Sequence, residues 1–260
     1  MTALLLWLEA PLQSWGVDSR FGRRDTLPFP SRSGVLGLVC CATGRNGEQE
    51  AWLAEMKAYT QTVVAYSRLE NGKPDIQPLL RDFQMVGSGY DASDPWQDLL
   101  IPKKTDGKRP VGAGTKMTYR YYLQDMAFAC ALDVPEAYAD EIIAGLQNPV
   151  WPICLGRRNC VPTDIVYRGR FDSQEEALAA AGEIAQAKRR AERFRVAHGR
   201  VEGGDVLTLN DIPIAFGLRK RYEDRHATIL EQYKSAARTN PGGTFCKGDR
   251  DAGRKGAHHS

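Results

Sequence analysis

Residues Ala3-Leu4-Leu5-Leu6-Trp7-Leu8 form an uninterrupted apolar run, and how that run is read decides the fold. So short and continuous a run predicts a buried β-strand, because a half-exposed strand alternates and a buried helix is longer. A turn-rich loop follows from Pro11 to Pro30 and carries Trp15, Gly16, Arg20, Gly22, Arg23 and Arg24. Ser31 and Ser33 then stand where a helix N-cap belongs, and the residues after them predict a helix to about Ala42. Gly34 and Gly37 weaken that helix by roughly 1 kcal/mol each against alanine. The expected reason is close approach of another backbone or of a ligand.

Working outward, Trp52, Met56 and Tyr59 recur at i, i+4 and i+7, which predicts a core-facing helix from about Glu48 to Tyr59. The stretch Thr60–Leu69 reads as a strand, Asn71-Gly72 as a hairpin turn, and a return strand should reach about Val86. A long β-rich stretch spans Thr118–Val134. Pro135 opens a helix with Ile142, Ile143 and Leu146 on one face, and a further strand is expected within Trp151–Tyr167. Strand, helix, strand, strand, helix, strand predicts an α+β fold over residues 1–170, a ferredoxin-like domain of the RNA-recognition kind. Ser173-Gln174-Glu175-Glu176 is a capping box and opens an Ala-rich helix to about Phe194, with Leu178, Ala181, Ile184 and Ala191 inward. Short strands are expected at Val206–Leu209 and His226–Leu230. Residues 171–238 thus read as a small C-terminal α/β extension. Residues 239–260, rich in Gly, Lys, Arg and His, read as a disordered tail.

The composition, 42% hydrophobic and 26% charged over 260 residues, is that of an ordinary globular chain. Net charge is only +3, so a nucleic-acid footprint has to be local. Neither Ala3–Leu8 nor Val35–Ala42 approaches the ~20 residues of a membrane span. No basic stretch precedes Ala3 and no cleavage site follows Leu8, so the expected location is cytoplasmic, with no membrane partner. The six cysteines follow no metal-ligand spacing, and Cys40, Cys41 and Cys130 sit in apolar elements as small hydrophobes. Neither metal nor cofactor is expected.

The chain carries no Walker P-loop, HExxH or GxSxG motif. Outside the tail only His198 and His226 remain, each without an evident partner. Basic residues beside glycines and aromatics are the better lead. Arg20, Arg23 and Arg24 run into Ser31-Arg32-Ser33-Gly34, where a helix N-terminus can bind phosphate or the serines can simply cap it. In Lys116–Tyr122, alternation places Tyr119 and Tyr121 on one face and Arg120 and Tyr122 on the other. That pattern suits base stacking beside phosphate contacts, and equally a core strand. Arg157 and Arg158 after Gly156 read either as surface arginines or as phosphate contacts, and Arg219-Lys220-Arg221-Tyr222 reads as a solvated charge run. Residues 86–115 form a separate insertion, bounded by Gly87-Ser88-Gly89 and Gly112-Ala113-Gly114. It carries Tyr90, Trp96, Leu99, Leu100 and Ile101, then Lys103, Lys104, Lys108 and Arg109. An apolar knuckle and a basic stretch between glycine hinges describe an arm reaching toward a partner.

Trp7-Leu8-Glu9-Ala10-Pro11-Leu12-Gln13-Ser14-Trp15-Gly16 and Pro28-Phe29-Pro30-Ser31-Arg32-Ser33-Gly34-Val35-Leu36-Gly37-Leu38 together resemble the start of the CasD (Cas-five) family of CRISPR proteins. Tyr119-Arg120-Tyr121-Tyr122-Leu123-Gln124-Asp125 is similar to its Arg-x-Tyr-Leu-x-Asp strand signature. Leu155-Gly156-Arg157-Arg158-Asn159-Cys160 is similar to a block of the type I-E branch. The resemblance implies an RNA-recognition-like fold with a protruding β-hairpin thumb at 86–115. It implies a subunit at the foot of a Cascade complex, beside the CasC backbone and the large CasA subunit, gripping the 5′ handle of the guide RNA (crRNA). Target DNA is then met only through the complex. One branch, type I-C, cleaves precursor RNA with a Tyr-Lys-His set; Lys116 is present here, but no histidine accompanies it. The chain is therefore expected not to be an enzyme. The RNA-binding candidates are Arg20, Arg23, Arg24, Ser31, Arg32, Ser33, Lys116, Tyr119, Arg120, Arg157 and Arg158.

Overall fold

A computed structural model describes residues 2–16, 22–86, 96 and 116–231. Its first strand, β1 (Thr2–Glu9), has no exposed surface from Ala3 to Leu8, because both faces are covered. Leu4, Leu6 and Leu8 enter one apolar core, and Leu5 and Trp7 enter a second. Two-sided burial is why the run is continuously apolar rather than alternating.

The chain continues through β2 (Leu12–Gln13), β3 (Arg23–Arg24), α1 (Arg32–Thr43), α2 (Glu50–Met56), β4 (Gln61–Glu70), β5 (Lys73–Pro74) and β6 (Leu80–Val86). Then follow β7 (Lys116–Gln124), β8 (Ala127–Val134), α3 (Glu136–Gln147), β9 (Tyr167–Phe171), α4 (Gln174–Ala187), β10 (Arg190–His198), β11 (Asp205–Ala215) and β12 (Arg221–Glu231). The main sheet is antiparallel, in the order β11-β12-β10-β4-β8-β1-β9, with β5 beside β4. The residues of α1, α2 and α3 pack in the core on one face, and those of α4 pack on the other. The fold is a mixed α/β architecture with mostly antiparallel sheets. No helix among the described residues is long and apolar enough to cross a membrane.

A second, smaller sheet is built on β7, which pairs with β2 and β6 antiparallel and with β3 in parallel. The β6–β7 ladder runs to Val86↔Lys116, so residues 87–115 join the ends of two paired strands.

Several expected elements differ. The Asn71-Gly72 turn forms, with both residues at positive φ, but its return strand stops at Pro74 and the chain crosses to the second sheet as β6. Thr118–Val134 is two strands in two sheets, broken where Asp125 takes φ 52°. No strand forms before Tyr167 in the Trp151–Tyr167 region. The Ala-rich helix, capped by Ser173 as expected, ends at Ala187 rather than Phe194. Arg189 turns at φ 54°, and Arg190–His198 pairs with both β4 and β12. The β4 ladder at Arg190–Glu192, joined by β12 from Phe194 onward, outweighs the helical propensity of this stretch. The later strands β11 and β12 are longer than expected and extend the main sheet, so the chain after residue 170 is built onto the first sheet.

Candidate nucleic-acid interface

Helix α1 begins where the main sheet and the loop 11–30 meet. Ser31 caps it, its Oγ accepting from the Gly34 N–H at 3.2 Å. From β11, Asp211 accepts from the Arg32 backbone N–H at 2.8 Å, while Arg225 grips both carboxylate oxygens at 2.7 and 3.1 Å. Two of the helix-end donors that a phosphate would need are thus already occupied. Arg32 itself corrects the sequence expectation. Its side chain is buried and donates to the Met56 and Tyr59 carbonyls at 2.7 and 2.6 Å, tying α1 to the end of α2. Burial, followed by repulsion from Arg225, pushes its pKa down to about 10. A guanidinium enclosed in this way is not presented to RNA.

The other basic clusters converge. Arg157 donates to the Arg24 carbonyl at 2.9 Å and the Tyr121 carbonyl at 3.2 Å, and its guanidinium lies 4.6 Å from the Tyr122 ring centroid. Asn159 donates to the Tyr122 hydroxyl at 3.2 Å. Strand β3 holds Arg23 opposite Tyr119 and Arg24 opposite Arg120. Arg23 lies 4.8 Å from the Tyr121 ring centroid and pairs with Asp25 at 2.8 Å. Gly156 makes this assembly possible: at φ 94°, an added Cβ would fall 1.7 Å from the Ser14 carbonyl oxygen. Only glycine lets the 155–160 turn sit against the end of β2.

Between α1, this turn and the β11–β12 connection lies an open groove of about 710 Å³. Arg24, Arg45, Arg157 and Lys220 line it with Trp15, Trp151, Phe216 and Tyr222, and no Asp or Glu is among the lining residues. The two unusual glycines separate here. Gly34 is required by packing, since an added Cβ would lie 2.8 Å from the Trp15 ring. Gly37 faces open space, with no atom within 4 Å, and lines the groove. Arg45 is held between the rings of Trp52 and Tyr138 at 5.3 and 5.4 Å and pairs with Glu141 at 2.7 Å.

Of the sequence candidates, Arg24, Ser31, Ser33 and Arg157 border the groove. Tyr119 and Arg158 are exposed and Arg120 half-buried, all outside its lining. Of Lys116 only the backbone position is described. Arg20 lies outside the described residues, as do Tyr90, Leu99, Leu100, Lys103, Lys104, Lys108 and Arg109; Trp96 is described and 78% exposed. Sequence reasoning missed Arg45, Trp151 and Phe216 and read Lys220 and Tyr222 as solvated. They come from four separate stretches of chain, and no local pattern links them.

The groove thiols are poor nucleophiles, since burial pushes Cys40 up to about 12 and also raises Cys41. His198 is lowered by burial and by Arg225 and Arg32, while His226 is within hydrogen-bond reach of Arg200 and Thr208. Among the described residues, no group of three or more His, Cys, Asp or Glu is placed to hold a metal ion.

Fold and site together define a mixed α/β protein with an open, cation-lined groove. The chain belongs to the CRISPR-associated protein (Cas_Cas5) family, whose model matches residues 3–228. It is 28% identical over 182 residues to the CRISPR system Cascade subunit CasD of Escherichia coli (strain K12), covering 68% of this chain and 74% of that one. Its fold is similar to a chain of a solved CRISPR RNA-guided surveillance complex, with TM-score 0.66, 30% identity and coverage of 88% and 89%. A crystal structure of a Cas protein matches with TM-score 0.52 at 25% identity, over 88% of this chain and 95% of the other.

Proposed function

We propose that this chain is a non-catalytic, guide-RNA-binding subunit of a type I-E Cascade surveillance complex in antiviral defence, and that it holds the 5′ handle of the RNA. The observation that carries the reading is the groove. A chain of net charge +3 gathers four cations there with no lining carboxylate, beside the open space over Gly37 of the helix. Such a surface attracts phosphate oxygens, with Arg45 alone offset, by Glu141, among the ion pairs of the described residues, while the aromatic rings can meet base faces.

The core strands support an RNA-recognition-like domain. Taking β1, β4, β8 and β9 as strands one to four, the sheet order is two-three-one-four, that of a ferredoxin-like fold. The β6–β7 ladder pairs the two strand ends that flank the proposed thumb, residues 87–115, which, Trp96 apart, lie outside the described residues. The relationship to the E. coli Cascade subunit supports CasC and CasA as neighbours, with target DNA contacted through the assembled complex.

RNA cleavage by internal 2′-hydroxyl attack needs a group able to take a proton near neutral pH. The groove lining offers neither imidazole nor carboxylate, and its thiols titrate too high. That chemistry, with the lack of a histidine beside Lys116, supports holding rather than cutting. Two assays test the reading. The purified chain should bind guide RNA carrying its 5′ handle more tightly than the same RNA without it, and equal affinity would refute handle binding. Repeat RNA incubated with the chain in EDTA should stay intact, whereas site-specific cleavage would establish a metal-independent nuclease.

A further inference from the structure

Beside the groove lies a second recess of about 460 Å³, sharing Gly16, Ser33 and Tyr222 with it and floored by β11. Tyr222 stands between the two. Its ring is half-buried, and its hydroxyl makes no hydrogen bond among the described residues. Burial raises its pKa, so the hydroxyl remains a donor at neutral pH. Along β11 the recess presents Thr208 and Asn210, both exposed. The Asn210 amide nitrogen donates to Asp224 at 2.6 Å, which fixes the amide and leaves its carbonyl oxygen as an acceptor. The carboxylate in the recess, Asp211, is neutralised by Arg225 and committed to α1.

Cations on one side of an aromatic ring and oriented, uncharged donors and acceptors on the other suit a nucleotide turned out of a single strand. Phosphates stay in the groove, the base leaves the stack, and its edge is read by fixed polar groups. The volume falls within the ~300–1,000 Å³ range of small-molecule sites. We infer that this recess takes one unstacked base of the bound single-stranded RNA, with Tyr222 against its face and Asn210 and Thr208 at its edge. The inference rests on the proposed RNA-binding function and adds to it a position of sequence specificity.

The test uses the full chain and short single-stranded RNA of the handle sequence, with each base in turn replaced by an abasic site. Affinity should fall roughly five- to hundredfold at one position. Tyr222→Leu should erase that position's special sensitivity, and Asn210→Ala should relax base preference there. Asn210 is exposed, so its variant should melt as the parent does and covers the case in which Tyr222→Leu fails to fold. Uniform abasic sensitivity, or a base preference at that position unchanged in Asn210→Ala, would overturn the inference. A third variant, Arg157→Glu with Lys220→Glu, separates the two claims. If it binds as the parent does, the RNA-binding reading itself fails. If it weakens binding while the recess variants leave base preference intact, only the recess assignment fails.

Discussion

Replacing Gly156 with alanine adds one methyl group on the wrong side of a tight contact. The new Cβ would lie 1.7 Å from the Ser14 carbonyl oxygen and 2.7 Å from its carbon, and both are backbone atoms that no rotamer change can move aside. The φ of 94° adds strain for any residue with a side chain, about 1–3 kcal/mol. Relieving the overlap shifts the turn and breaks the hydrogen bond from the Ser14 N–H to the Leu155 carbonyl, now 3.2 Å, worth about 1 kcal/mol. The half-buried Arg157 also loses its fit between the Arg24 and Tyr121 carbonyls, a loss that partial exposure keeps small. The sum is about 2–4 kcal/mol, or a fall in melting temperature of roughly 4–16 °C for a domain of this size. Urea titration by circular dichroism measures it. The variant should also bind handle RNA more weakly than its remaining stability explains, because Arg157 is displaced from the groove. A loss below about 0.5 kcal/mol would refute the packing argument, since surface substitutions free of such constraints fall within that range.

Gly37→Ala should act in the opposite way. With nothing within 4 Å of the added methyl group, the helix gains about 0.5–1 kcal/mol, while a groove wall is raised and RNA affinity falls; loss of stability in thermal melting would contradict this. Asp211→Ala leaves Arg225 buried without its partner and the Arg32 N–H at the start of α1 without its acceptor, so a loss of about 3–5 kcal/mol is expected in urea titration. Glu9 gives a pH dependence. Burial alone would raise its pKa, but hydrogen bonds from Trp7, Lys188 and Arg190 outweigh it and hold the carboxyl below its usual 4.5. Its ionised form therefore contributes stability in full above that value, and the contribution is lost as pH falls through the lower, folded value. Glu9→Gln should flatten the acid limb of the stability curve, and an unchanged limb would count against the assignment.

Where sequence reading succeeded, local chemistry was sufficient. The Ser31 cap needs only Gly34 three residues on, the Asn71-Gly72 turn needs only itself, and the Ser173 cap lies beside the helix it serves. Ala3–Leu8 was legible because two covered faces leave no polar positions. Reading failed where partners lie far along the chain. Arg190–Glu192 has helix-forming neighbours yet starts a strand, because β4 offers it a ladder that β12 joins from Phe194 onward. Arg32 looks like part of a basic surface, and its burial follows from carbonyls at Met56 and Tyr59 that the sequence does not place nearby. The groove was half legible. Arg24 and Arg157 stood out as basic clusters, whereas Arg45, Trp151 and Phe216 gain meaning only from the packing that gathers them.

The most direct measurement of the central claim is the salt dependence of handle-RNA affinity for the parent chain and for Arg157→Glu with Lys220→Glu. If these cations neutralise phosphates in the groove, the double variant should bind more weakly at every salt concentration. Its log–log slope should be shallower by about 1.4, at ~0.7 per lost phosphate contact. Equal affinity and equal slope for the two proteins would place the RNA elsewhere and contradict the account.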